Sequence, residues 1–317
     1  MKILITGVHG FVGSNLVKAL AKDNTIYGLD IIDPIKDGVK FTFKWEDLDK
    51  EGMVPEMDAI IHLAGKAHDT KNQAAADVYF KVNRDLTTKI FDYFCAHPKI
   101  KKFVFFSTAK AAADKVDGIL TEDVVPTPVG PYGESKIAAE QYILNTMKAR
   151  PEEFKGRGVY IFRPCMIHGP GNKGNLNLLY NVVKKGIPWP LGAFENRRTF
   201  TSVENICFAV NGVITKDVPS GIYNMGDDDT LSTNELIEEI CKSLGKKAHI
   251  WKLPKGLMNG VAKVGGWLHL PLNPERLRKL TENYVSSNEK IKAALGVERM
   301  PVDAREGLKV TLDSFSK

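Results

Sequence analysis

No stretch of this 317-residue sequence is apolar for long enough to span a bilayer, so threading through a membrane by helices is not expected. Cysteine is scarce. Cys95, Cys165, Cys207 and Cys241 lie far apart without paired or metal-ligand spacing, which excludes a disulfide framework or a structural zinc module and predicts four free thiols in a reducing compartment. No metal is expected. There is no dense block of lysine and arginine and no alternation of basic with aromatic residues, so the net charge of +6 is not a nucleic-acid signature. An anionic small ligand is enough to account for it. No repeat, low-complexity tract or linker divides the chain, and no partner protein is visible in it. A hydrophobic content of 43% is ordinary for a globular protein, and the length suits one large α/β domain with an appended lobe.

What the sequence does hold starts at once. Ile3, Leu4 and Ile5 form a short continuous apolar run, which suits a strand covered on both faces. Gly7, Gly10 and Gly13 follow at three-residue intervals. That spacing permits a tight turn, admits a pyrophosphate against bare backbone and packs a helix on the strand, with the phosphate at the positive helix end. Phe11 and Val12, between the last two glycines, count with them as cofactor-binding residues. Lys2, the apolar run and Ala19-Leu20-Ala21 imitate a signal peptide, but the glycines, His9, Ser14 and Asn15 interrupt it, so the segment is expected to be structural and the protein cytoplasmic.

After a helix from Ser14 to Ala21, Thr25 to Asp30 reads as a second strand ending in an acid. A carboxylate about 20 residues past such a loop accepts from adenosine ribose hydroxyls and repels a 2′-phosphate, which implies NAD rather than NADP. His9 and Asp33 blur that discrimination, and the alternative is a structural turn with a solvated aspartate. A third strand is expected over Val39 to Trp45, with Asp47 and Leu48 in a loop closing over the adenine. Asp58 to Leu63 gives a fourth strand, and Leu63, Ala64 and Gly65 allow a ligand close to the backbone. A long helix from about Ala74 to Phe94 contains Asn83, a further cofactor contact, and Phe103 to Phe106 is the fifth strand. This alternation predicts a doubly wound parallel sheet with a dinucleotide beyond the carboxyl ends of its strands.

Two later stations carry chemistry. Ser107-Thr108 ends the fifth strand, and Tyr132-Gly133-Glu134-Ser135-Lys136 opens the next helix behind Pro131. Tyr132 and Lys136 are four apart, hence on one face, and an ammonium beside a phenol favours the phenolate. The pair predicts a general base, with Thr108 orienting the same substrate hydroxyl. An exposed helical turn is the bland alternative, weakened by the position after a dinucleotide loop.

These residues, Thr6-Gly-x-x-Gly-x-x-Gly13, Asp30, His62-Leu-Ala-Gly65, Ser107-Thr108 and Tyr132-x-x-x-Lys136, together resemble the extended short-chain dehydrogenase/reductases. Within that family the chain looks most like the nucleotide-sugar epimerases, dehydratases and 4-keto-sugar reductases, and the UDP-glucose 4-epimerase-like proteins of bacterial polysaccharide clusters in particular. The resemblance covers nearly the whole length, through Phe162-Arg163-Pro164, Gly169-Pro170-Gly171, Arg198-Thr199-Phe200 and Leu295-Gly296. It implies that Asn175, Arg198 and Lys173 contact a diphospho-sugar, the arginine as a fork to phosphate. It also implies a homodimer through the helices at Ala74 to Phe94 and Ser135 to Met147, although their apolar faces suit packing on their own sheet as well.

Departures narrow the reading. Ala109-Lys110 stands where the sugar 4,6-dehydratases place an Asp-Glu pair, which argues against dehydration. Ala111-Ala112-Ala113 replaces the family's Val-Tyr-Gly, Cys165 replaces a frequent asparagine, and Asn205 a frequent aspartate. The expected organisation is a Rossmann domain over residues 1–164, completed by strands from about 199 to 226, with a substrate lobe from 165–198 and 227–317. Ser232 or Thr233 ahead of Glu235 predicts a helix start. Leu257 to Leu270 is apolar enough for a membrane-surface helix, but Gly260, Gly265 and Gly266 weaken a regular one, so a substrate lid is expected. The leading function is a UDP-sugar 4-epimerase working through a 4-keto intermediate with NAD. A 4-keto-sugar reductase using NADH or NADPH and a non-catalytic NAD-binding regulator remain as alternatives.

Overall fold

Short runs of aliphatic and aromatic residues form most of the main strands of the computed structural model, which describes residues 1–66, 75–172, 174–268 and 272–315. In chain order the strands are β1 (Lys2–Thr6), β2 (Thr25–Leu29), β3 (Val39–Phe43), β4 (Ala59–His62), β5 (Lys102–Phe106), β6 (Ile119–Leu120), β7 (Gly158–Pro164), β8 (Met166–His168), β9 (Arg198–Ser202), β10 (Gly221–Met225), β11 (Thr230–Leu231) and β12 (Val285–Ser286). Seven of them form one sheet in the order β10-β7-β5-β4-β1-β2-β3, with every neighbouring pair parallel. Parallel strands need crossovers that cover both faces, and every residue of β4 and β7 is buried. The doubly wound Rossmann sheet is therefore present. Its order reverses between β1 and β4, so the chain leaves these two strands in opposite directions and opens a crevice at their carboxyl ends.

The helices are α1 (Phe11–Leu20), α2 (Ala76–Tyr79), α3 (Leu86–Ala96), α4 (Ala109–Ala112), α5 (Gly130–Ala149), α6 (Asn175–Lys184), α7 (Val203–Thr215), α8 (Thr233–Ser243), α9 (Lys255–Trp267), α10 (Pro274–Thr281), α11 (Glu289–Leu295) and α12 (Ala304–Phe315). Leu16 and Val17 of α1 and Ile206, Val210 and Val213 of α7 cover one face of the sheet against Ile3, Ile5 and Ile61. Ile90, Phe91 and Phe94 of α3 and Ala139 and Ile143 of α5 cover the other, against Leu4, Ile60, Phe103 and Phe105. Truncating either buried phenylalanine of α3 to alanine costs about 3–5 kcal/mol on typical scales. The inward faces of these two helices thus pack on their own sheet. Beside them Val78 is exposed and Leu86 is half-buried, while Leu144 and Met147 pack partly buried against the same core.

Several expectations shift. The first helix begins at Phe11 rather than Ser14, directly on the glycine loop. The third strand stops at Phe43, and Trp45–Asp49 is a 3-10 turn because the Asp47 carboxylate accepts from the Lys44 amide at 2.9 Å and closes it. The long helix runs from Ala76 to Ala96 with a π-helical segment over Phe80–Asp85, while Ala74 lies outside the described residues. Arg198–Ser202, expected among the strands that complete the first domain, joins β8 and β11 in a separate three-stranded sheet. Its buried side chains include Thr199, Thr201 and Ser202, which need hydrogen-bond partners that an aliphatic sheet interior lacks. Thr201 finds the Met225 carbonyl at 2.9 Å and Ser202 the Asp227 carboxylate at 2.8 Å. Gly221–Met225 does join the large sheet.

The smaller core gathers Leu176 and Tyr180 of α6, Leu236 and Ile240 of α8, Met258 and Ala262 of α9, Leu277 of α10 and Leu308 and Leu312 of α12. Ser232 caps α8 as expected, accepting from the Glu235 amide at 3.0 Å while Glu235 accepts from the Ser232 amide at 2.8 Å. The glycines of α9 do not interrupt it. Gly265 is buried, and a side chain on Gly266 would stand 3.1 Å from Pro274, so they let α9 and α10 cross closely. No helix of the described residues is long and apolar enough to cross a membrane.

Candidate active site

The crevice begins where β1 ends. Gly7 turns with φ of 68°, and a side chain there would meet the Ala64 amide nitrogen at 3.0 Å. Gly13 is tighter still, since an added Cβ would lie 2.5 Å from the Gly7 carbonyl oxygen. Gly10 caps α1 without a side-chain hydrogen bond, and no acid occupies the first turn. The amides of Phe11, Val12 and Gly13 are therefore first-turn donors at a positive helix end, free of competition from an acidic side chain.

Asp30 follows β2 with its carboxylate held in place, accepting from the His9 amide at 3.1 Å and the Ile31 amide at 2.8 Å. The His9 ring pairs instead with Thr42 at 3.2 Å, and burial, opposed by Asp30, lowers its pKa. It is neutral at pH 7, so it offers no cation to a 2′-phosphate. Asp47 is less available than the sequence suggests: besides the Lys44 amide it accepts from Lys50 at 2.8 Å, and these bonds, Lys50 first, hold it below the usual carboxylate range. Its carboxylate caps a turn, and the half-buried Leu48 packs against the sheet.

On the other side of the crevice the amides of Leu63 and Ala64 both donate to Thr6 Oγ1, at 3.1 and 3.0 Å. With its acceptor capacity used, the Thr6 hydroxyl donates to His62 Nδ1 at 2.7 Å. His62 Nε2 then donates to Thr87 at 2.9 Å, and Thr87 to the Asn83 carbonyl at 2.7 Å. Burial first, then the nearby Lys136, hold His62 well below its ordinary pKa, which matches this neutral tautomer. Asn83 sits in the π-helical segment, where the altered turn suits a side chain that must reach inward. Its side chain accepts from the Lys66 amide at 2.8 Å and donates to Ser135 at 3.0 Å. A Cβ on Gly65 would stand 3.0 Å from Asn83 Oδ1 and 3.1 Å from Lys136 Nζ. Only a glycine leaves that space open.

The structure brings Thr108, Tyr132 and Lys136 together at the end of β5. Thr108 is nearly buried and hydrogen-bonds the Tyr132 side chain. Lys136, buried behind it, donates to the Phe106 carbonyl at 2.8 Å and lies 4.9 Å from the centre of the Phe105 ring. One expectation is reversed. Burial raises the Tyr132 pKa and outweighs the hydrogen bond with Thr108, so the phenol is protonated at neutral pH rather than poised as a phenolate. The same burial lowers Lys136 to about 8, against a smaller opposing effect of Glu140.

Glu140, which the sequence reading missed, continues the face one turn beyond Lys136. It is fully buried and accepts from Arg163 Nη2 at 2.6 Å and Nε at 3.0 Å, and from the Ser107 hydroxyl. The spacing Tyr132, Lys136, Glu140 was the available signal. Arg163, also buried, stood in a quoted motif without a role.

The expected sugar contacts divide. Arg198 opens β9 half-buried, donates to the Lys279 carbonyl and has its pKa lowered by burial against the pull of Glu282. Cys165 feels the charges of both Arg198 and Lys110, so the arginine shares a neighbourhood with the residues just past Thr108. Asn175 is exposed as the first residue of α6, and Lys173 lies outside the described residues. The four cysteines are free, and burial pushes the Cys165 and Cys207 thiols up to about 12, which makes them unreactive. Asn205, in place of a frequent aspartate, donates to Asp227 at 2.7 Å and serves packing. Where Ala111-Ala112-Ala113 lacks the family's tyrosine, Tyr284 packs from far along the chain, its hydroxyl donating to the Ala113 carbonyl at 2.9 Å.

A dinucleotide fits what is present. The uncapped helix end suits a pyrophosphate, the fixed Asp30 carboxylate suits ribose hydroxyls, and the space at Gly65 beside Asn83 and Lys136 continues toward Tyr132. Comparison with known proteins agrees. The family model for the NAD dependent epimerase/dehydratase family matches residues 3–226. The chain is 30% identical to a UDP-glucose 4-epimerase of Vibrio cholerae over 267 residues, 80% of this chain and 78% of that one. It is 27% identical to the N-acetyl-alpha-D-glucosaminyl-diphospho-ditrans,octacis-undecaprenol 4-epimerase of Escherichia coli O157:H7, over 81% of this chain and 77% of the relative. In fold it resembles the UDP-glucose 4-epimerase of Thermus thermophilus in complex with NAD, with a TM-score of 0.75 at 23% identity over 100% of this chain and 99% of that one. The glycine loop, Asp30 and the parallel sheet are thus those of a chain that belongs to the NAD dependent epimerase/dehydratase family, with NAD as its cofactor.

Proposed function

We propose that this enzyme of sugar-nucleotide metabolism is a UDP-sugar 4-epimerase serving cell-surface polysaccharide precursors. The observation that supports it is the gathering of the buried Thr108, the half-buried Tyr132 and the buried Lys136 at the end of β5. NAD bound there would supply reversible hydride exchange at carbon 4 of the sugar, so that the 4-keto sugar formed could be reduced on its other face. Gly7, Gly10, Phe11, Val12, Gly13 and Asp30 would hold its adenosine end, and Leu63, Ala64, Gly65, Asn83 and Lys136 would border the other. Asp47 and Leu48, in the 3-10 turn, would border the adenine.

In its ionised form Tyr132 would take the proton from the oxygen on carbon 4, and Thr108 would steady that oxygen. Lys136 contributes positive charge behind the phenol, which favours its ionised form. Arg198 and Asn175 are the proposed diphosphate contacts. Residues 1–164, completed by α7 and β10 within about 199 to 226, would bind the cofactor, and 165–198 with 227–317 the sugar. The protein works in the cytoplasm as a homodimer in this reading.

The test is incubation with several UDP-hexoses and NMR at carbon 4. Exchange between axial and equatorial hydroxyls without added coenzyme is expected. Stoichiometric consumption of NADH or NADPH by a 4-keto-sugar, with no exchange, would replace the epimerase by a reductase, and inertness with every sugar would favour a regulator.

A further inference from the structure

We propose that the smaller lobe docks on anionic lipid bilayers through α9 and the segment leading into it. This stands apart from the proposed chemistry and rests on charge and exposure together. From Ile240 to Pro274 the sequence has no acidic residue and six lysines, which equals the net charge of +6 of the whole chain. The rest of the chain is balanced, so the cationic character of this protein resides in this one segment.

The helix carries two apolar stripes. Met258, Ala262 and Gly265 are buried in the lobe at i, i+4 and i+7. Leu257, Val261, Val264 and Leu268, at the same helical spacing, face outward with 46–54% exposure, and Trp267 is 81% exposed. A helix that only covers a core turns charged residues outward. This one turns outward the side chains that a bilayer interface takes up, with tryptophan among them. Trp251, 54% exposed, and Lys252 lie just before the helix, and Lys255 and Lys263 lie on it.

The same charge selects the occupant. Two copies joined symmetrically by this face would set lysines against lysines, whereas an anionic headgroup layer complements them. A helix of 13 residues is too short to span a bilayer and long enough to lie on one. The helix next to α9 also reaches the site: from α10, Arg278 pairs with Asp114 at 3.1 Å, and Asp114 with Lys110 at 3.0 Å, two residues past Thr108.

The test is flotation of the full chain with vesicles of phosphatidylcholine alone and of equal parts phosphatidylcholine and phosphatidylglycerol. Flotation with the anionic vesicles only, reversed by high salt, is expected. A variant combining Val264→Gln and Trp267→Gln, and separately one combining Lys252→Gln and Lys263→Gln, should each partition at least tenfold less with unchanged thermal melting and NAD binding. If either variant fails to fold, quenching of wild-type tryptophan emission by brominated anionic lipid decides, and its absence overturns the proposal. Equal flotation of wild type and both variants overturns it too, as does conversion of a dimer to a monomer by the Val264/Trp267 variant, which would assign the face to a second copy.

Discussion

At the scale of single residues, the site depends on groups that are costly to bury and are held by one another. Removing Glu140 strands Arg163 in the interior, so Glu140→Ala is expected to lose about 3–5 kcal/mol in urea unfolding. Replacing Glu140 and Arg163 together by leucine and methionine should cost less than either single change, because no uncompensated charge remains. Lys136 makes a second prediction through its pKa of about 8 against an ordinary 10.5. The folded chain gives up this proton first, so between these values the unfolded chain binds more, and stability rises with pH through the window by up to about 3 kcal/mol. Below about pH 8 the full burial cost applies. The stability of wild type relative to Lys136→Met should therefore improve from pH 7.5 to pH 10, and a flat difference would contradict it. Tyr132→Phe removes the proposed proton acceptor without touching the lysine, and is expected to lower kcat by about 10²–10⁴ at unchanged NAD affinity.

At the scale of elements, the glycine loop and α1 act as one piece. Gly13→Ala would drive a methyl group to 2.5 Å from the Gly7 carbonyl and 2.8 Å from that of Val8, both backbone atoms that cannot give way. Calorimetric titration should show NAD affinity reduced at least tenfold. Gly52→Ala is the contrast: φ is 71° there and nothing lies within 4 Å, so only the left-handed backbone resists, at about 1–2 kcal/mol, and NAD binding should be intact. Most of this element level was legible. The first, fourth and fifth strands announced themselves by short apolar runs and the third by alternation, while Gly158–Pro164 was not read as a strand and the glycine spacing located α1 only to within one turn. The π-helical segment at Phe80–Asp85 was not legible, because one widened turn leaves the apolar spacing of a helix almost unchanged. Nor was the 3-10 turn at Trp45–Asp49, which a single carboxylate closes.

At the scale of the whole molecule, the sheet and the smaller lobe meet around Thr108. Tyr284 and Arg278 arrive from more than 160 positions away to contact Ala113 and Asp114, so the far end of the chain forms one wall of the site. The proposed dimer belongs to this scale. The exposed Val78 and the half-buried Leu86 border the inward-packed faces of α3 and α5. Light scattering is expected to show twice the mass of 35.1 kDa, and Val78→Glu with Leu86→Glu should return it to the monomer; a monomeric wild type would dismiss the interface.

The sequence by itself determined what is local or periodic: the parallel sheet, the glycine loop with Asp30, and the shared face of Tyr132 and Lys136. A strand's burial and a helix's facing follow from spacing along the chain. Tertiary structure alone decided the rest, because burial is a property of everything packed around a group. It pushed the Tyr132 phenol up rather than down, committed the Asp47 carboxylate to its own turn, closed Glu140 on Arg163, and left the outer stripe of α9 facing solvent.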